Sequence, residues 1–524
     1  MRKTIASAAA AALTVTLFAA TPATAGKDDN TKGQKPSSKT VDTRKLEKAV
    51  SVNGLMQHLR EFQVIADRND GNRASGLPGH TASADYVAKK LRKAGYQVTR
   101  QEFTFAFSRE VEPATLTQTA PTERDFDTAT FDYSGSGDVT GPVVNIDHVL
   151  PPSEKPNGST SGCEASDFPP APAEDAVALI QRGTCPFGLK ASNAEEAGYD
   201  AVIIFNEGQP GRQDLIVGTL GAPADIPVVG LSHEDGAALA QTPAAEVHVT
   251  TKTENDLNRT TENVIADLPS KSKVRNPDQT VVVGAHLDSV TEGAGINDNG
   301  SGSAGILEIA EQLAALKYTK KLERPVRFAF WGAEEAGLLG SEHYVDNLST
   351  AERGKIYANL NFDMIGSPNY GRFVYDGDGS DSDPAGPPGS GAIEDIFTGY
   401  FDSKKLASAP TEFSGRSDYG PFIAVGIPAG GLFTGAEGIK TAEEAVMFGG
   451  TAGVAYDVCY HSACDDIGNV NTKALQEMGD AAAHATLVML QSKAGLFPDG
   501  SVAPKSKSAK VKKGAPGNPA HAAR

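Results

Sequence analysis

Six side chains able to hold a metal ion or move a proton recur just past strand-like runs or turns of this chain: His286, Asp298, Glu334, Glu335, Asp363 and His461. They stand in Gly284-Ala285-His286-Leu287-Asp288-Ser289, Ile296-Asn297-Asp298-Asn299-Gly300, Trp331-Gly332-Ala333-Glu334-Glu335, Asn361-Phe362-Asp363 and Cys459-Tyr460-His461. Imidazole nitrogen and carboxylate oxygen suit zinc without any cysteine, and cobalt or manganese accept the same donors. Charge balance argues for two ions. Their four positive charges are matched by Asp298, Glu335, Asp363 and a bridging hydroxide, whereas one ion would leave excess negative charge.

The adjacent acids divide the work. Neighbours on an extended chain point opposite ways, so one of Glu334 and Glu335 is expected to bind metal. The other then takes a proton from the activated water and passes it to a leaving amine. Asp288, two residues after His286, is placed to hydrogen-bond the imidazole and fix its tautomer. Tyr460 precedes His461, and its hydroxyl is a donor for a developing oxyanion. Each feature has a plainer reading on its own: a structural His-x-Asp, a solvated Glu-Glu pair, a turn cap at Asp363, a loop histidine packed by a disulfide. Their recurrence at successive strand ends of one domain favours chemistry.

The elements that must position these groups follow a strand, loop, helix rhythm after Thr260. Strands are expected at 263–266, 280–283, 325–331, 356–363, 372–375 and 427–433, and helices at 301–316, 341–348, 391–406 and 472–490. This alternation predicts an α/β fold, a three-layer sandwich around a mostly parallel central sheet. Ligands of such sheets bind beyond the carboxyl ends of the strands, where all the segments above are expected. Upstream, 46–66 reads as one amphipathic helix, 71–79 as a loop, 81–94 as a helix stopped by Gly95, and 96–107 as a strand. Residues 110–253 differ in texture: short β-like runs split by Pro- and Gly-rich turns, with one helix at 189–197. They read as a small β-rich insert in which His148, His233 and His248 are isolated.

With 524 residues the chain exceeds one hydrophobic core. A net charge of −18 argues against a nucleic-acid partner, which would need a basic face. Residues 1–25 combine Arg2 and Lys3, an alanine-rich apolar run and Ala23-Thr24-Ala25, the pattern of a secretory signal peptide. No later stretch is apolar enough to span a membrane. The expected division is therefore a signal peptide (1–25), a linker or pro-segment (26–45), a discontinuous main domain (46–109 and 254–495), the insert (110–253), and a disordered or processed tail (496–524). Secretion makes disulfides the default for Cys163, Cys185, Cys459 and Cys464. Three pairings exist, and Cys163–Cys185 with Cys459–Cys464 is the simplest.

The motifs quoted above, with Gly302, Ala336-Gly337-Leu338-Leu339-Gly340-Ser341 and Met364 completing them, resemble those of secreted bacterial di-zinc aminopeptidases, the leucine-aminopeptidase-like co-catalytic zinc exopeptidases. The resemblance covers roughly 46–105 and 256–495. Ser414-Gly415-Arg416-Ser417-Asp418 is similar to that family's substrate-side loop. The insert, with Cys163, Cys185 and Ile226-Pro227-Val228-Val229, more loosely resembles a protease-associated domain. The resemblance implies that His286 and Asp363 hold one zinc and Glu335 and His461 the other, with Asp298 bridging. It implies Glu334 as general base and then acid, Tyr460 stabilising the tetrahedral intermediate, Arg416 lining the substrate side, and a cis peptide at Asp298-Asn299.

The expected function is hydrolysis of the N-terminal bond of a peptide or protein with a free N-terminus, apolar residues being preferred. Met364 and the Phe413 and Phe422 region form the candidate apolar pocket. The alternatives are a carboxypeptidase or a glutaminyl-cyclase-like enzyme on the same scaffold, and a non-catalytic binding protein of this fold. Two Zn²⁺ are the expected cofactors, with calcium near Asp465 and Asp466 left open. A monomer is expected, with no nucleic-acid or membrane partner.

Overall fold

A computed structural model describes residues 41–172, 175–268 and 272–496. The signal-peptide segment, most of the linker and almost all of the tail lie outside these residues. The described part of the linker is not all coil, because a helix begins inside it at Arg44.

The 280s form a strand because Val281, Val282, Val283 and Ala285 are fully buried on both faces of a sheet, and β-branched side chains fit that surface. This strand, Thr280–His286, pairs in parallel with Val326–Trp331 on one side and Ile356–Phe362 on the other. Ala429–Phe433 continues the parallel set beyond Ile356–Phe362. Antiparallel pairing enters at Phe373–Tyr375 on one side and Glu246–Asp267 on the other. The sheet is thus mixed and mostly parallel around its centre. Helices Val52–Asp67, Pro78–Ala94, Gly302–Ala315, Ser390–Lys404 and Thr472–Gln491 contribute apolar faces to the core that includes Val281, Val283 and Ala285. Gly284 is required locally: a Cβ there would lie 2.6 Å from Nε1 of the buried Trp331.

The expected single helix over 46–66 is two helices, Arg44–Ala49 and Val52–Asp67. Ser51 separates them by adopting extended backbone and accepting the Gly54 N–H on its hydroxyl, an N-cap that overrides the continuous apolar spacing. The strand expected at 96–107 runs on as Gln97–Ala120 and pairs along its length with Glu246–Asp267, with several bulges. These two long strands carry the chain into and out of the insert.

The insert is rich in strands as expected and holds two α-helices rather than one. Parallel strands Gly137–Ile146, Val177–Gln181, Ala201–Phe205 and Val228–Leu231 accompany two helices, Phe187–Glu196 and His233–Gln241. The second helix escaped the sequence reading, although Ser232 caps it by accepting the Asp235 N–H. The insert has its own apolar clusters, centred on Leu179 and Ile203 on one face and Ile180 and Ile204 on the other. The disulfides are Cys163–Cys185 and Cys459–Cys464. Among the described residues no helix is long and apolar enough to cross a membrane.

Candidate metal centre

Three of the five segments leave parallel strands at their carboxyl ends. His286 closes its strand, Glu334 and Glu335 follow Trp331 by three and four residues, and Asp363 follows Phe362. Cys459–His461 differs from expectation, because it is a turn and not a strand end. The short disulfide loop and a left-handed backbone at His461 (φ 53°) present this imidazole instead. Asp298 arrives on a turn before helix Gly302–Ala315, joined to Asn299 by the cis peptide the resemblance implied. Gly295 opens that turn at φ 57°, where a Cβ would meet the Asp298 carbonyl at 2.3 Å.

All six groups converge. His286 Nε2 lies 3.2 Å from Asp298 Oδ1, 3.3 Å from Asp363 Oδ1 and 3.9 Å from Glu334 Oε2. His461 Nε2 lies 3.1 Å from Asp298 Oδ2 and 3.0 Å from Glu335 Oε2. The two oxygens of Asp298 therefore face different histidines. Glu334 and Glu335 also face different histidines, from a bend rather than the extended chain expected for them. Asp363 Oδ1 and Glu335 Oε1 are buried without a hydrogen-bond partner. Buried carboxylate oxygens do not stay unpaired without cost, and the donor set of imidazole and carboxylate is the one zinc takes. The residues fit a pair of such ions.

The acids set the electrostatics of the cluster. Burial disfavours the charge on His286, yet Glu334, Asp363, Asp288 and Asp298 together hold its pKa well above the ordinary value. Burial likewise opposes the charge on His461, but Glu335 and Asp298 raise it to about 10. Burial raises Glu334 well above the usual carboxylate range, and Asp363, Asp418 and Glu335 add to this against the pull of His286. Burial would raise Asp298 too, but the two histidines win and hold it low.

Asp288 works somewhat differently from expectation. Its main-chain carbonyl lies 3.2 Å from His286 Nδ1, while its carboxylate stands 3.6 Å away and accepts the Glu334 N–H at 3.4 Å. It thus ties the histidine strand end to the glutamate segment. Tyr460 stacks on His461 with ring centres 3.8 Å apart. Arg416 pairs with Glu437 at 2.8 Å, both about half exposed at the rim. Burial lowers the Arg416 pKa, but Glu437 and Tyr460 more than restore it. Met364 is buried, its N–H held by Asn299 Oδ1 at 3.1 Å. Phe413 packs with Tyr375 and Tyr419, and Phe422 with Trp331 and Tyr344 in a separate cluster.

Three neighbours take structural roles that the sequence did not assign them, two from the substrate-side loop and one from the segment considered for calcium. Ser417 donates to Asp363 Oδ2 at 2.5 Å and accepts from Asn361 at 2.7 Å. Asp418 is wholly buried, and its pKa is raised by burial to about 8. Asp465 accepts the main-chain N–H groups of Asn297 and Asp298, at 2.8 and 2.9 Å, on its two carboxylate oxygens. Asp465 is thereby engaged in holding the Asp298 turn, and Asp466 accepts the Gly468 N–H. Within the insert, His148 and His233 bond main-chain carbonyls and His248 pairs with Asp138.

The profile of Peptidase family M28 matches residues 263–486, and that of the PA domain matches residues 139–239. An aminopeptidase of Pseudomonas aeruginosa is 49% identical over 456 residues, covering 84% of this chain and 81% of that protein. Leucine aminopeptidase 2 of Trichophyton tonsurans is 40% identical over 436 residues, covering 82% of each. Among solved structures, a zinc aminopeptidase from Bacillus subtilis superposes with a TM-score of 0.59 at 28% identity, covering 86% of this chain and 99% of that one. The chain therefore belongs to peptidase family M28, with a PA domain set into it.

Proposed function

We propose that this chain is a two-zinc aminopeptidase that removes the N-terminal residue of peptides and acts outside the cell. The observation that carries the reading is Asp298, whose oxygens stand 3.2 and 3.1 Å from two different histidines, each with a further acid beside it. His286 and Asp363 would hold one ion, His461 and Glu335 the other, and Asp298 both. Two zinc ions bound there supply Lewis acidity at the scissile carbonyl and an acidified water as nucleophile.

The chain's own groups do the rest. Glu334 is the acid not needed as a ligand. It takes the proton of the attacking water and returns it to the departing amine, and an elevated carboxyl pKa suits both halves of that transfer. Tyr460 donates to the substrate oxygen on which charge gathers. Arg416, held by Glu437, borders the substrate side. The names of the relatives support a free N-terminus as the recognised group, and the leucine aminopeptidases among them support an apolar first residue. Secretion rests on the basic, apolar, small-residue pattern of residues 1–25 and on the two disulfides.

The test is a panel of aminoacyl-nitroanilides and their N-acetylated forms. Hydrolysis of the free amines, abolished by a chelator and restored by zinc, is expected. Turnover of the acetylated forms alone would overturn the aminopeptidase reading.

A further inference from the structure

One loop far upstream holds the metal centre from behind. Arg73, in Asn72-Arg73-Ala74-Ser75-Gly76, is a wholly buried arginine that among the described residues has no carboxylate hydrogen-bonded to it. Its guanidinium donates to three main-chain carbonyls: Leu287 next to His286, Ala294 at 2.8 Å, and Gly295 at 2.6 Å. Its own N–H donates to Ser289 Oγ at 2.9 Å. One side chain thus joins the end of the His286 strand to the turn that delivers Asp298. Two residues on, Ser75 Oγ accepts the N–H of Ala333 at 2.6 Å. Ala333 has φ 52°, in the bend that turns Glu334 and Glu335 toward the histidines. Phe62 lies against the guanidinium at 5.0 Å.

We infer that Arg73 is a positioning residue for the metal pair, setting the distance between the His286 strand end and the Asp298 turn; this rests on the two-zinc reading. A rigid planar fork carries its donors on three separate nitrogens and so reaches three carbonyls on two loops, whereas a lysine ammonium holds its three donors at one point. Groups behind metal ligands, when removed, typically cost about 10–100-fold in affinity or activity.

The sign of the effect separates position from charge. A cation beside the cluster repels incoming zinc, so deleting it would by Coulomb's law alone tighten binding. Loosening the two loops does the opposite. The experiment measures zinc affinity by chelator competition on the wild type, Arg73→Lys and Arg73→Met, each checked for a cooperative thermal transition. Kinetics on leucine nitroanilide are taken on the zinc-saturated proteins. Both variants are expected to bind zinc about 10–100-fold more weakly than the wild type, lysine giving no rescue, with kcat reduced and KM little changed. Wild-type affinity and kcat in Arg73→Lys, or tighter zinc binding in Arg73→Met, would overturn the inference. If Arg73→Met does not fold, Arg73→Lys, which keeps the charge, decides. A wild type that binds no zinc pair would instead contradict the underlying reading.

Discussion

Asp298 and Glu334 carry different burdens, and their substitutions should fail differently. Glu334→Gln keeps every ligand and removes the proton acceptor, so zinc content should stay at the wild-type value. Turnover should fall by about 10²–10⁴, checked by elemental analysis beside steady-state kinetics. Asp298→Ala should empty both sites, whereas His461→Ala should weaken mainly one. Proton linkage follows from the imidazoles. His461 is held up to about 10 and His286 well above its ordinary value, so both carry protons at neutral pH without metal. Zinc must displace them, and its apparent affinity should rise with pH up to about that value. The sign for stability is the reverse. A histidine with a raised folded pKa stabilises fully below its unfolded value near 6.5, and that contribution is lost as pH climbs through 10. Glu334 and Glu335, also raised, cost stability over the rising part of their own window. The chelated protein should therefore melt at lower temperature as pH goes from 6.5 to 10, and zinc should blunt the fall. Unchanged melting across that range would contradict the assignment.

At the scale of elements, the legible part of the site was the part whose residue types can bind metal and recur within one domain. His286, Asp298, Glu334, Glu335, Asp363 and His461 declare themselves together rather than singly, and Asp298 and His461 do so from turns rather than strand ends. Arg73, Ser75, Ser417 and Asp465 do not. Each is an ordinary loop residue whose meaning lies in a partner distant in sequence, such as Ser75 with Ala333 or Asp465 with Asn297. Periodicity failed where local capping overruled it: Ser51 broke one expected helix, and Ser232 began one that apolar spacing did not announce. Phe413 and Phe422 are nine residues apart but enter different clusters, and sequence proximity says nothing about which face of a loop is buried. The Gly284 contact with Trp331 gives a test of packing at this scale. Gly284→Ala should destabilise the fold by about 1–3 kcal/mol, the usual cost of overpacking, measured by denaturant titration.

For the whole molecule, the alternation of strands and helices announced the α/β sandwich, but not how the insert is attached. The long strands Gln97–Ala120 and Glu246–Asp267 make a ribbon paired along its length, interrupted by bulges. Arg109 pairs with Glu254 in register along it and also forms an ion pair with it at 2.7 Å. The apolar clusters of the insert are separate from the core around Val281 and Val283. Replacing residues 110–253 by an Asn-Gly turn, which suits a two-residue hairpin, should therefore leave a cooperatively folding, zinc-binding chain that still cleaves nitroanilides. Loss of cooperative unfolding would show that the two parts stabilise each other.

The most direct measurement is a titration of the chelated, full-length protein with zinc, following metal bound and hydrolysis of leucine nitroanilide together. The account predicts that binding saturates at two ions per chain and that full activity needs both. Saturation and full activity at one ion would contradict Asp298 as a bridge between two metals.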